Sequence, residues 1–181
     1  MRSIRSGFLS GCRARPDQRL IAAHATYITG NMIIVRRFQP ADFSGVIAVE
    51  REQFSEHDPY LYMNLYELNE DTFFVADHRG EVAGFVIGVM SVGEDGVYGR
   101  VFTIAVREAY QGLGIGTQLM KHIIDALHRK NIGGIFLEVR NHNFRAVRFY
   151  QRLGFVVDRI DTGYYSDGED AVIMKYRRWI P

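Results

Sequence analysis

Between residues 111 and 116 the chain reads Gln-Gly-Leu-Gly-Ile-Gly, with glycines at alternate positions ahead of an amphipathic run. Missing side chains leave backbone N–H groups accessible, and a helix starting there adds the positive end of its dipole. The chemistry on offer is therefore anion binding. Spacing excludes two nucleotide loops. A Walker loop needs Gly-Lys-Ser/Thr, whereas Gly116 runs straight into Thr117. A dinucleotide fingerprint needs Gly-x-Gly-x-x-Gly, and its third glycine would fall on Thr117 or on Leu119. Three other groups have chemical potential. Glu138 stands alone in the apolar stretch Ile135-Phe-Leu-Glu-Val139, and a carboxylate in such company needs a reason. Tyr150 brings a phenol, although it shares an apolar stripe with Ala146, Phe149 and Leu153 that core packing alone explains. The pair Tyr164-Tyr165 offers apolar faces with hydroxyl tips, or simply hairpin stacking.

These residues need elements to position them. Val101, Phe102, Ile104, Ala105 and Val106 make a strand-length apolar run before the glycine loop. From Thr117 to Lys130, the spacing of Leu119, Met120, Ile123, Ile124 and Leu127 predicts a helix packed on a sheet. Gly133-Gly134 stops it, and Ile135 to Val139 is the next strand. Asn143 is placed to cap a helix from Phe144 to Leu153, with Gly154 just past its end. Upstream, Met32 to Phe38 reads as a first strand, Asp42 as the cap of a helix through Val46 to Glu50, and Leu61 to Leu68 as a second helix. Thr72 to Asp77 and Val82 to Met90 read as strands joined at His78-Arg-Gly-Glu81. Phe155 and Asp170 begin the last two strands, with Gly168 serving a turn and Glu169 and Asp170 read as solvated acids. The predicted fold is one α/β domain, a mostly antiparallel mixed sheet with a central parallel β-α-β unit.

The 181-residue chain is of single-domain length, and its formal net charge of +1 offers no electrostatic case for nucleic acid. The single cysteine, Cys12, excludes an internal disulfide and a cysteine metal cluster, so no metal is expected. No apolar run approaches the roughly 18 residues that span a bilayer, and a reducing, cytoplasmic setting is the expectation. Residues 1–31 differ from the rest: five arginines face one acid, Asp17, for a net +4. Their apolar stretches are too short for a signal peptide, and they read as a leader or an upstream start ahead of a domain spanning residues 32–181.

Gln-x-x-Gly-x-Gly between a strand and a helix resembles the pyrophosphate loop of the GNAT acetyltransferase superfamily. The order of elements from Met32 to about Arg178 is similar to that fold. So are Phe136 to Arg140, Asn143 and Ala146 to Phe155, which look like the family's second acetyl-CoA segment. Tyr164 to Ala171 with Met174 resembles the C-terminal hairpin of the N-terminal protein acetyltransferases, the branch with the RimI-like enzymes. The resemblance implies acetyl-CoA as cosubstrate, held by Gln111, Gly112, Leu113, Gly114, Ile115, Gly116 and Thr117 at its pyrophosphate. The backbone of Ile104, Ala105 and Val106 would take its pantetheine arm, with Asn143 and Tyr150 also in contact. It implies Glu138 as the base, with Glu50, Glu52 and Glu56 as alternatives and His57 behind them, and Tyr150 as the acid for the departing thiolate. Tyr164, Tyr165 and, across the groove, Tyr60 and Tyr62 would line the substrate site. The implied partners are protein or peptide N-termini, including a ribosomal protein or the ribosome, with no nucleic acid or membrane. A small amine or a lysine as acceptor, and a fold that only binds acyl-CoA, stand as alternatives.

Overall fold

The computed structural model describes residues 25–28, 31–54, 59–93, 96–130, 132 and 134–176. Among these, eight strands form one sheet: β1 (Ala25–Ile28), β2 (Asn31–Arg37), β3 (Phe73–His78), β4 (Glu81–Gly93), β5 (Gly96–Val106), β6 (Ile135–Arg140), β7 (Phe155–Asp161) and β8 (Ala171–Tyr176). The helices are α1 (Phe43–Gln53), α2 (Pro59–Asn69), α3 (Ile115–Arg129) and α4 (Phe144–Arg152). The strand order is β1-β2-β3-β4-β5-β6-β8-β7. All neighbours are antiparallel except β5 and β6, which run parallel across α3. This is the mixed sheet with a central β-α-β unit that the sequence predicts.

Local chemistry accounts for the elements. Arg79 and Gly80 both take positive φ, 54° and 88°, which suits the twist of the two-residue turn between β3 and β4. The apolar stripe of α3 is buried throughout, with Leu119, Met120, Ile123 and Leu127 fully covered. Glycines in the sheet let it lie close: a Cβ on Gly88 would sit 2.6 Å from Ile123 Cδ1, and one on Gly99 2.9 Å from Leu127 Cδ1. The sheet thereby separates two apolar clusters. One joins α3 and Tyr150 of α4 to Val101, Leu137 and Met174. The other joins Val46 and Val49 of α1 and Tyr62 of α2 to Phe73, Phe85 and Ala105.

Three boundaries differ from expectation. β1 pairs with Asn31–Ile34, so among the described residues the sheet includes residues 25–28 of the stretch read as a leader; residues 1–24 lie outside the described residues. A four-residue strand carries almost no periodic signal of its own and is recognised by its pairing. α3 starts at Ile115 rather than Thr117, because Ile115 is buried and anchors the first turn. Asp42 does not cap α1 with its side chain. Instead its carboxylate accepts from Gln39 N–H at 2.8 Å and from both ends of the Arg36 guanidinium at 2.7 Å. Burial would raise its pKa, but Arg36 and the Gln39 N–H outweigh burial and bring it below the usual value. Among the described residues, no helix is long and apolar enough to cross a membrane.

Candidate active site

The site begins where β5 and β6 part. Their pairing stops at Gly99–Ile135 and Arg100–Phe136, although both strands continue, β5 bonded to β4 and β6 to β8. A register shift in β5 opposite Ile87–Gly88 accompanies the parting. The Arg107 N–H donates to Ala83 O on β4, so Val106, one residue earlier, turns its backbone groups to the opposite, open edge. The Val106 carbonyl accepts there from the Gln111 side-chain amide at 3.1 Å.

Next to that edge lies the glycine loop. Gly112 and Gly114 have φ of 77° and 78°, a region costly for other residues, and Gly114 is the N-cap of α3. The Gln111 N–H is taken by Glu108 O at 3.1 Å, so the free donors begin at Gly112 rather than at Gln111 as expected. Gln111 organises instead. Its amide donates to Gln53 Oε1 of α1 as well as to Val106, and its Oε1 accepts from Arg145 of α4. Gly116 needs no special φ, but a Cβ there would sit 3.4 Å from the Phe149 ring.

Strand edge, loop and α4 enclose a cleft of about 460 Å³. Of the residues expected at the cofactor, Ile104, Ala105, Val106, Gln111, Gly112, Gly114, Ile115, Gly116, Thr117, Asn143 and Tyr150 line it; Leu113 does not and points to solvent, 38% exposed. Asn143 does cap α4, its Oδ1 accepting from Ala146 N–H at 3.0 Å. Tyr150 is both a core residue and a cleft residue. Its ring is buried against Phe149 and Phe155, and it also lines the cleft. Burial, helped by the nearby Tyr165, pushes its pKa up to about 12. Sequence reasoning missed Gln53, Tyr110, Arg145 and Arg152, which also line the cleft. The two arginines share the helical face of Phe149, a signal available in the spacing; Gln53 lies 58 residues from Gln111 and has none.

Glu138 is not in that lining. On β6 the residues alternate, Ile135, Leu137 and Val139 buried and Phe136, Glu138 and Arg140 partly exposed on the other face, so the strand is not the uniformly apolar run it resembles. The Glu138 charge is met by Arg100, whose Nε donates to Oε2 at 2.9 Å, and Arg100 Nη2 donates to the Tyr164 hydroxyl at 3.0 Å. Tyr165 packs edge-on to Tyr164 and lies under the Arg140 guanidinium, 4.1 Å from its ring centre. Arg140 is itself held by Asp167 at 2.7 Å and Glu169 at 2.6 Å. Glu169 and Asp170 are therefore not free solvated acids: Glu169 also meets His142, and Asp170 accepts from Gly163 N–H. Burial raises the Tyr165 pKa, and its phenol is close enough to feel both Glu138 and Tyr150.

The remaining expectations separate. Tyr62 is core, 5% exposed and edge-on to Phe85 at 5.5 Å, not groove wall. Tyr60 is 80% exposed and outside the cleft lining. Glu50 is buried in α1. Glu52 accepts from Arg107 and from Glu108 N–H, which hold its pKa below the usual range. Glu56 and His57 lie outside the described residues. No group of three or more His, Cys, Asp or Glu side chains among the described residues could hold a metal.

Residues 37–155 match the acetyltransferase (GNAT) family, and the chain belongs to it. It is accordingly an acyltransferase, with acetyl-CoA as donor. The residues of the cleft fit such a donor, with amides at a helix N-terminus for phosphates and an open strand edge for amide groups. The chain is 34% identical to an N-alpha-acetyltransferase of Sulfurisphaera tokodaii over 151 residues, 77% of this chain and 90% of that one. It is 38% identical over 104 residues to the ribosomal protein bS18-alanine N-acetyltransferase of Escherichia coli, 56% of this chain and 68% of that one. The crystal structure of Ard1 from Thermoplasma volcanium superposes with a TM-score of 0.72 at 30% identity, covering 79% of this chain and 95% of that one.

Proposed function

We propose that the protein transfers the acetyl group of acetyl-CoA to the α-amine of a protein or peptide N-terminus, by direct attack with both substrates bound. The observation that carries the reading is the parting of β5 and β6 beside the cleft, with Glu138 and Tyr164 joined through Arg100 at the last paired rung. Relatives named as N-alpha-acetyltransferase and as bS18-alanine N-acetyltransferase support it, and the second makes a ribosomal-protein N-terminus a natural substrate to test. The reading implies an enzyme of the cytoplasm, where such N-termini emerge.

Acetyl-CoA supplies a thioester, already activated for attack. The amides from Gly112 to Thr117 hold its pyrophosphate, and the exposed edge at Ile104, Ala105 and Val106 pairs with the pantetheine arm as an added strand would. The Val106 N–H, on the open edge, faces the oxygen on which charge develops; a donor of this kind is worth about 3–4 kcal/mol of barrier. Glu138 takes the proton of the incoming ammonium, through water. An α-amine with a pKa of about 8 is neutral in about one molecule in ten at pH 7, against about one in two thousand for a lysine at about 10.4. That difference of about 3.3 kcal/mol suits a distant, water-mediated base to N-termini. As the carbon–sulfur bond breaks, Tyr150 gives its proton to the thiolate. The proton that the acylated nitrogen sheds on becoming an amide passes through water and restores the phenol, which with a pKa pushed up to about 12 holds its proton across the working range. The test is acetyl transfer, followed by mass spectrometry, to peptides with free α-amines, to the same peptides blocked at the α-amine but carrying lysine, and to polyamines. Transfer only to free α-amines is expected; turnover of polyamines alone would refute the reading.

A further inference from the structure

Arg100 was not among the residues singled out by sequence, and it lies outside the cofactor cleft. It occupies the last paired rung between β5 and β6, opposite Phe136, so its side chain leaves the sheet where the strands part. One guanidinium there spans three elements. Nε reaches Glu138 on β6, 38 residues away, at 2.9 Å, and Nη2 reaches the Tyr164 hydroxyl beyond β7, 64 residues away, at 3.0 Å. The guanidinium carbon lies 5.6 Å from the centre of the Phe102 ring, which limits its swing. Glu138 is the less exposed partner, its side chain 11% accessible against 28% for Arg100.

We propose that Arg100 is a positioning residue for the transfer. Its planar fork fixes the carboxylate that takes the proton and the phenol that walls the peptide groove as one rigid unit. The acceptor amine then meets base and wall at a set spacing. This rests on Glu138 acting as the base. The geometry needs two donors held in one plane, which lysine, a single point charge on a flexible stem, does not provide. A guanidinium that merely braced the sheet would affect stability and leave the kinetic constants alone.

The experiment compares wild type, Arg100→Lys, Arg100→Met, Tyr164→Phe and the Arg100→Met/Tyr164→Phe double variant on a peptide the wild type acetylates. It records kcat, peptide KM, acetyl-CoA Kd by calorimetry and melting temperature. Arg100→Met is expected to lower kcat/KM for the peptide about 100-fold, the scale of loss from a small misplacement of reacting groups, with acetyl-CoA Kd unchanged. Arg100→Lys is expected not to restore it. Tyr164→Phe raises peptide KM with little change in kcat, and the double variant is no worse than Arg100→Met, because both cut the same unit. Wild-type constants in Arg100→Met, full activity in Arg100→Lys, or losses that add in the double variant would each overturn the proposal. Should Arg100→Met fail to fold, Arg100→Lys and Tyr164→Phe decide it by the same criteria. A wild type that binds acetyl-CoA yet acetylates no peptide refutes the proposed function instead.

Discussion

The cleft beside the glycine loop and the side-chain cluster around Glu138 and Tyr164 are built from different material. The cleft has a backbone frame, an open strand edge and the amides of a glycine loop at the N-terminus of α3, with Gln111 tying the two together and side chains of α4 closing it. The cluster is side chains holding side chains: Arg100 on Glu138 and Tyr164, and Arg140 on Tyr165, Asp167 and Glu169. A backbone site presents the same donors whatever the neighbouring side chains are, which suits a ligand that never changes. A side-chain site can be retuned residue by residue, which suits an acceptor that varies. Substitutions on one side should therefore leave the other side's constants alone.

The largest effect expected is at their junction. Tyr150→Phe removes only a hydroxyl from a buried ring, so packing survives, while kcat falls about 100- to 10,000-fold, the range of a lost general acid. Acetyl-CoA affinity should hardly move, and an equal loss in both would mean that Tyr150 only packs. In the wild type, kcat should show no basic limb from this phenol below pH about 12. Gly114→Val tests the cleft alone. A Cβ at Gly114 meets nothing within 4 Å, so the cost is confined to forcing φ of 78° on a branched residue. The free loop relaxes out of that strain, of order 1–3 kcal/mol, and binding must restore it, so acetyl-CoA Kd should rise about 5- to 150-fold, read by calorimetry. Peptide KM at saturating acetyl-CoA should stay where it was.

The same division explains what could be read from the sequence. The strands, α3, α4, the Asn143 cap and the glycine loop are contiguous, and periodicity with cap and turn chemistry locates each. Most of the local cleft lining, the strand end at Val106 and the glycine loop, was legible for the same reason, whereas Gln53, Tyr110, Arg145 and Arg152 were not named. The misreadings are non-local. Asp42 suits an N-cap by type and position, but Arg36 and Gln39 claim it. Tyr62 has the residue type of a groove wall, and only the tertiary placement of α2 turns it onto Phe85. Glu138 drew notice as a charge in an apolar strand, yet nothing local points to Arg100, 38 residues earlier. Glu169 looked solvated because its partners, Arg140 and His142, lie on another element.

Asn143→Ala is a milder probe of the cleft. It removes the Oδ1 acceptor at Ala146 N–H and should cost about 1 kcal/mol in denaturant unfolding, with a larger share of any kinetic loss in acetyl-CoA Kd than in peptide KM.

Asp167→Asn is expected to have the smallest effect and separates the two halves most finely. Asp167 accepts from Glu169 N–H at 3.0 Å and from Arg140 at 2.7 Å, and these two, in that order, hold its carboxyl below the usual range. A carboxyl whose folded value is lowered contributes its clamp above the ordinary aspartate range and loses it as pH falls through the lowered value. The asparagine lacks that charge at every pH. Peptide KM should therefore be higher in the variant at neutral pH and converge with wild type in acid. The ion pair is exposed and Arg140 keeps Glu169, so the neutral-pH difference should be under about fivefold. Acetyl-CoA Kd, measured on both proteins over the same pH series, should coincide throughout. A shift in Kd as large as that in KM would mean that the hairpin and the glycine loop move as one body, and the contrast between a backbone site and a side-chain site would fail.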